Sequence, residues 1–78
     1  MRLKFKEINM LNDTLRDICD FSISFYNGMN EKQIGENLLS DKRINDYFMD
    51  EDNLTLKLLT LDYKIVSIDY LTGYIYIG

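Results

Sequence analysis

Proline, tryptophan, histidine and alanine do not occur in these 78 residues, and cysteine occurs once. One thiol excludes an intramolecular disulfide. Without histidine it also excludes a zinc site of the Cys/His type. No serine can be partnered by a histidine base, and the four glycines form no loop of the kind that cradles phosphate. No stretch approaches the about 20 apolar residues of a membrane-crossing helix. The basic start is interrupted by Lys4, Lys6, Glu7, Asn9, Asn12 and Asp13, so it does not read as a signal peptide. The lone thiol suits a reducing compartment. These absences predict a soluble, cytoplasmic, non-catalytic protein with no metal and no cofactor.

What is present is rich in Ile, Leu, Asn, Asp, Lys and Tyr. Those residues, beside the missing alanine and proline, match the coding bias of an AT-rich genome, such as a low-GC bacterium or one of its phages or plasmids. A chain of this length makes one domain, residues 1–78. A core of that size supplies roughly 3–5 kcal/mol, so stability rests on packing and on any partner or second copy. The net charge is −4. Residues 1–43 hold equal numbers of basic and acidic side chains, whereas 44–78 hold Lys57 and Lys64 against Asp46, Asp50, Glu51, Asp52, Asp62 and Asp69. An acidic field of this kind repels phosphate backbones and favours basic partners.

Periodicity divides the chain. Met1, Leu3 and Phe5 alternate with Arg2, Lys4 and Lys6, which predicts an edge strand over residues 2–8 or a loose lead into a helix. From Met10 to Met29 the spacing is helical. Leu11, Leu15, Ile18, Cys19, Ser22, Phe25, Tyr26 and Met29 share a face, Asn9 or Asn12 serves as N-cap, and Gly28 as C-cap. A second helix starts at Asn30, with Gln33 completing a capping box and Ile34, Leu38 and Leu39 forming its stripe. Gly35 costs that helix about 1 kcal/mol relative to Ala and would let another helix approach. A third short helix is expected after Ser40 or Asp41, with Ile44, Tyr47 and Phe48 inward. Asp50 to Asn53 then reads as a solvated loop.

Leu54 to Ile77 reads as a β-meander. Its phase breaks at Leu58-Leu59, which predicts a bulge or a strand covered on both faces. Leu61–Lys64 and Tyr70–Gly73 are the expected turns, the second with Gly73 at positive φ. The fold class is therefore α+β: two to three N-terminal helices packed on a C-terminal antiparallel three-stranded meander, with residues 2–8 as a candidate fourth edge strand. A winged-helix-like arrangement is the rival.

Cys19 lies on an apolar helix face between Asp17 and Asp20 and reads as inert packing. The acidic run at 50–53 lacks the ligand spacing and central glycine of a calcium loop. Glu31–Met49 has some spacing of a helix-turn-helix, but Leu39 replaces its usual turn glycine. Asp46, Asp50, Glu51 and Asp52 would repel DNA along its second helix, so nucleic acid is disfavoured. The tyrosines are more suggestive, because tyrosine offers apolar area with a polar tip and is enriched at interfaces. The candidate partner contacts are Tyr63, Tyr70, Tyr74 and Tyr76, with Asp62 and Asp69 steering toward a basic partner surface. One side of the meander is expected to pack inward, and the other, bearing several tyrosines, to meet a partner or a second subunit.

The expected function is a small protein-interaction module acting by occlusion. In size, acidity and lack of motif the chain resembles accessory proteins of phages and mobile elements, some of which block host defence nucleases of the CRISPR or restriction type. The alternatives are a winged-helix-like DNA-binding regulator and a homo-oligomeric structural protein.

Overall fold

A computed structural model describes residues 1–24 and 31–78, apart from the side chains of 31–34 and 39. The N-terminal alternation does make an edge strand, but a short one. β1 covers Arg2–Lys4, with Leu3 buried and both cations exposed. The expected strand over residues 2–8 stops there because Glu7 folds back, accepting the Lys4 N–H at 2.8 Å and opening a 3-10 helix over Phe5–Met10.

Helix α1 occupies Asp13–Ser24. Of the two candidate caps it uses Asn12, whose Oδ1 accepts the Leu15 N–H at 2.9 Å. Asp13 lies at the positive end of the macrodipole. Leu15, Ile18, Cys19 and Ser22 form the buried face. Helix α2 covers Glu31–Ser40, and its Leu38 is fully enclosed. The proposed roles of Phe25, Tyr26, Gly28, Met29 and Asn30, and of the side chains of Gln33, Ile34 and Leu39, lie outside the described residues.

The expected third helix is a strand. β2 runs Ile44–Asp50 and pairs antiparallel with β3, Thr55–Thr60. The spacing of Ile44, Tyr47 and Phe48 suits a helix, and one feature hides the strand alternation. The register steps from Ile44↔Thr60 to Asp46↔Leu59, leaving Asn45 as an extra residue in a bulge. After it, Tyr47 and Met49 face inward and Phe48 faces outward. The sheet therefore has five strands, and the winged-helix-like arrangement does not form, since its recognition helix would have to be β2.

β4 is Ile65–Asp69 and β5 is Tyr74–Ile77. The order across the sheet is β1-β5-β4-β3-β2, antiparallel throughout. The Met1 amine donates to the Ile77 carbonyl at 2.7 Å, tying the two ends of the chain side by side. Leu58 faces inward and Leu59 outward, so that apolar pair marks a change of face, and the bulge lies opposite it on β2.

One face of the sheet carries Leu3, Leu56, Leu58, Val66, Ile68, Ile75 and Ile77, all buried with Ile18, Cys19 and Leu38 of the helices. Each such side chain contributes about 1.5–3 kcal/mol on burial. The β2–β3 and β3–β4 turns place Leu54 and Tyr63 at φ 51° and 63°, and the β4–β5 turn gives that conformation to Gly73, at φ 76°. Glycine is the residue that takes a positive φ at no steric cost.

Candidate protein-interaction surface

Strand pairing sets the opposite face residue by residue. One row across the sheet reads Lys4, Tyr74, Asp69, Thr55, Asp50. The next reads Arg2, Tyr76, Ser67, Lys57, Phe48. A third brings Ile65 beside Leu59 and Asp46. Among the described residues, no helix packs on this face. Phe48 is 62% exposed, Ile65 52% and Tyr76 42%. These are large apolar side chains on regular strands, held in water by the ladder that positions them. Arg2, Lys4, Lys57, Asp46, Asp50 and Asp69 share the face with them, so it mixes exposed apolar and charged side chains.

The rings on this face are ordered. The Tyr74 and Tyr76 centroids are 6.4 Å apart, and the Arg2 guanidinium lies 4.9 Å from the centre of the Tyr74 ring. That cation–π contact leaves the charge exposed while fixing the ring. Two shallow grooves meet at Ile65. One is bounded by Arg2, Ser67 and Tyr76, and the other by Asp46, Phe48, Lys57 and Leu59.

Of the six contacts expected from the sequence, the structure brings Tyr74, Tyr76 and Asp69 onto this face. Asp69 also holds the adjoining turn, because its Oδ1 accepts the N–H groups of Leu71 and Thr72 at 3.0 and 3.1 Å. Asp62 and Tyr63 lie at the other end of β4, on the β3–β4 turn, about 13 Å away along the strand at about 3.3 Å per residue. The Thr60 hydroxyl donates to the Asp62 carboxylate and holds it below the usual carboxylate range, so Asp62 stays ionised. Tyr63 is 80% exposed.

Tyr63 and Leu54 share an uncommon backbone conformation but not a common reason for it. Leu54 packs its side chain against the core. Tyr63 gains no such burial, yet occupies a position where a hairpin ordinarily has glycine.

Tyr70 is the correction among the six. Its phenol donates to the Ser22 carbonyl of α1 at 2.7 Å, and its ring meets Phe5 edge-on at 6.5 Å. It is 9% exposed, and burial raises its pKa. It is a core residue that joins the sheet to α1. Phe48, Ile65, Lys57 and Arg2, not among the contacts expected from the sequence, also belong to the open face, and Phe48, expected inward, faces outward. The alternation of Phe48 with Tyr47 and Met49 was the available signal for β2, and the Asn45 bulge masked it.

A more enclosed concavity lies elsewhere. A cleft of about 450 Å³ separates the start of α1 from the β3–β4 turn, bounded by Asn12, Thr14, Leu15, Arg43, Asp62 and Lys64. Its charges are already matched within the chain. Arg43 donates to Asp41 at 2.7 Å and lies 3.8 Å from Asp17, and Lys64 lies 3.8 Å from Asp62. The cleft contains no thiol or histidine, and Cys19 is fully buried, its thiol pushed up to about 11 by burial. Such a thiol is a poor nucleophile at neutral pH.

No helix among the described residues is long and apolar enough to cross a membrane. The chain matches no protein-family model, no curated protein and no solved structure.

Proposed function

We propose that this chain is a cytoplasmic, non-catalytic interaction module that binds another protein through the open face of its sheet and blocks the surface it covers. The observation that supports this most is the row Arg2, Tyr76, Ser67, Lys57, Phe48, with Ile65 beside it, left uncovered on a rigid sheet. Rigid aromatic anchors lose little entropy on binding, and rings of this type dominate interface energetics. Tyr63 and the ionised Asp62 extend the surface at one end, and Asp69 supports it at the other. The acidic excess favours a target with basic surface nearby, including the nucleic-acid-binding surfaces of host defence nucleases.

The test is paired affinity capture from the native host. The wild-type chain and a Phe48→Asp/Tyr76→Asp variant are compared after circular dichroism has shown both folded. The proposal predicts a protein retained by the first and lost by the second. Equal retention by both would place binding elsewhere and overturn it. Charge reversal at Asp62 and Asp69 should weaken retention and reduce its dependence on salt. An unchanged salt profile would remove the electrostatic part.

A further inference from the structure

The two edge strands of the open face carry opposite charge. Arg2 and Lys4 lie on β1 at one edge of the sheet, and Asp46 and Asp50 lie on β2 at the other. Four strand spacings separate them, about 19 Å at about 4.8 Å each. Tyr74, Tyr76 and Ile65 lie between, together with Asp69 of β4 and Lys57 of β3, and Phe48 stands on β2 itself. Any protein that fits the whole face must offer anions over β1, cations over β2 and apolar groups between them.

A second copy of the same face has that arrangement if it is turned over about an axis running along the strands. Such a rotation keeps each position along the strand and reverses the strand order, so β1 of one copy lies over β2 of the other. Lys4 and Asp50 share a row across the sheet, so the rotation brings Lys4 over Asp50 of the second copy. Arg2 shares its row with Phe48 and comes over that ring of the second copy, a favourable cation–π pairing. The alternative two-fold axis, across the strands, would stack β1 on β1 and β2 on β2, which sets like charges together. Charge thus selects one of the two face-to-face pairings. Asp69 lies near the selected axis, and its carboxylate is already engaged by the N–H groups of Leu71 and Thr72.

The whole molecule measures 30 by 27 by 17 Å. Aligned sheets pack about 10 Å apart with a rotation near −30°, and long side chains such as Lys4 and Arg2 span that gap.

We propose that the open face closes on a second copy of this chain in an isologous pair whose two-fold axis runs along β4, with Lys4 of each copy facing Asp50 of the other. This rests on the reading of the face as a contact surface and names its occupant. A target protein then binds in competition with the second copy.

The test is sedimentation equilibrium over a concentration series for four proteins: wild type, Lys4→Glu, Asp50→Lys, and the double variant. The wild type should form dimers and no larger species. Each single reversal should raise the dissociation constant about tenfold or more, and the double variant should return to within about threefold of wild type. Because Asp50 also holds its own turn through Asn53, Tyr76→Asp serves as a second disrupting variant that leaves every turn intact. A strict monomer at all concentrations, open-ended oligomers, or a dimer indifferent to these changes would overturn the proposal. A strict monomer that still retains a host protein through Phe48 and Tyr76 would remove the second copy and leave the proposed function standing.

Discussion

Tyr63 holds a conformation that disfavours it. A side chain at φ 63° costs about 1–3 kcal/mol when nothing compensates, and the ring is exposed. Tyr63→Gly should therefore stabilise the isolated chain by about 1 kcal/mol in urea denaturation while weakening retention of a partner. A fall in stability would mean that the ring has a role within the fold. Cys19 makes the opposite case, a reactive residue type rendered inert by its place. Its native pKa of about 11 is above the ordinary thiol value, so folding holds the proton. The associated stability is complete below about pH 8.5 and is lost as pH rises toward 11. The stability difference between wild type and Cys19→Ala should be constant from pH 6 to 8 and shrink above pH 9. A difference independent of pH would show a thiol that titrates alike in both states.

At the scale of elements, β2 shows what could and could not be read in the sequence. α1 was legible because a cap, Asn12, and a stripe at 3.6 spacing agree. The meander was legible because its turns carry their own chemistry at Gly73 and Asp69. β2 was not, since one extra residue at Asn45 converts alternation into a spacing that also suits a helix, and only the ladder with β3 decides between them. Tyr70 was misplaced for a related reason. It opens the turn just past β4, and its partner, the Ser22 carbonyl, lies 48 residues away. Gly35 was recognised as a close approach, but its neighbour is the Tyr47 hydroxyl of β2 rather than another helix. A Cβ there would lie 2.1 Å from the hydroxyl oxygen. Gly35→Ala should thus destabilise by about 1–3 kcal/mol through overpacking, despite the better helix former. In a Tyr47→Ala background the same change should instead stabilise by about 1 kcal/mol. Equal effects in both backgrounds would show that α2 and β2 are not in contact there.

For the molecule as a whole, five strands carry helices on one face, and the described residues leave the other open. This division of the sheet was partly legible: Tyr74 and Tyr76 alternate with Ile75 and Ile77, so one set had to face away from the core. Which residues join them across the sheet was not legible, because register depends on the neighbouring strands. The role of the open face separates stability from association, and one comparison measures both. Phe48→Ala, Ile65→Ala and Tyr76→Ala are to be measured beside Ile68→Ala, which truncates the covered face. Each is followed by urea denaturation at a concentration low enough to hold the chain monomeric, and by association with a second copy or a captured partner. The account predicts that the first three shift stability by less than about 0.5 kcal/mol and weaken association, whereas Ile68→Ala costs about 2–5 kcal/mol. Losses of that size at Phe48, Ile65 and Tyr76 in the monomer would show that this face is covered within the chain, and would contradict its assignment as the contact surface.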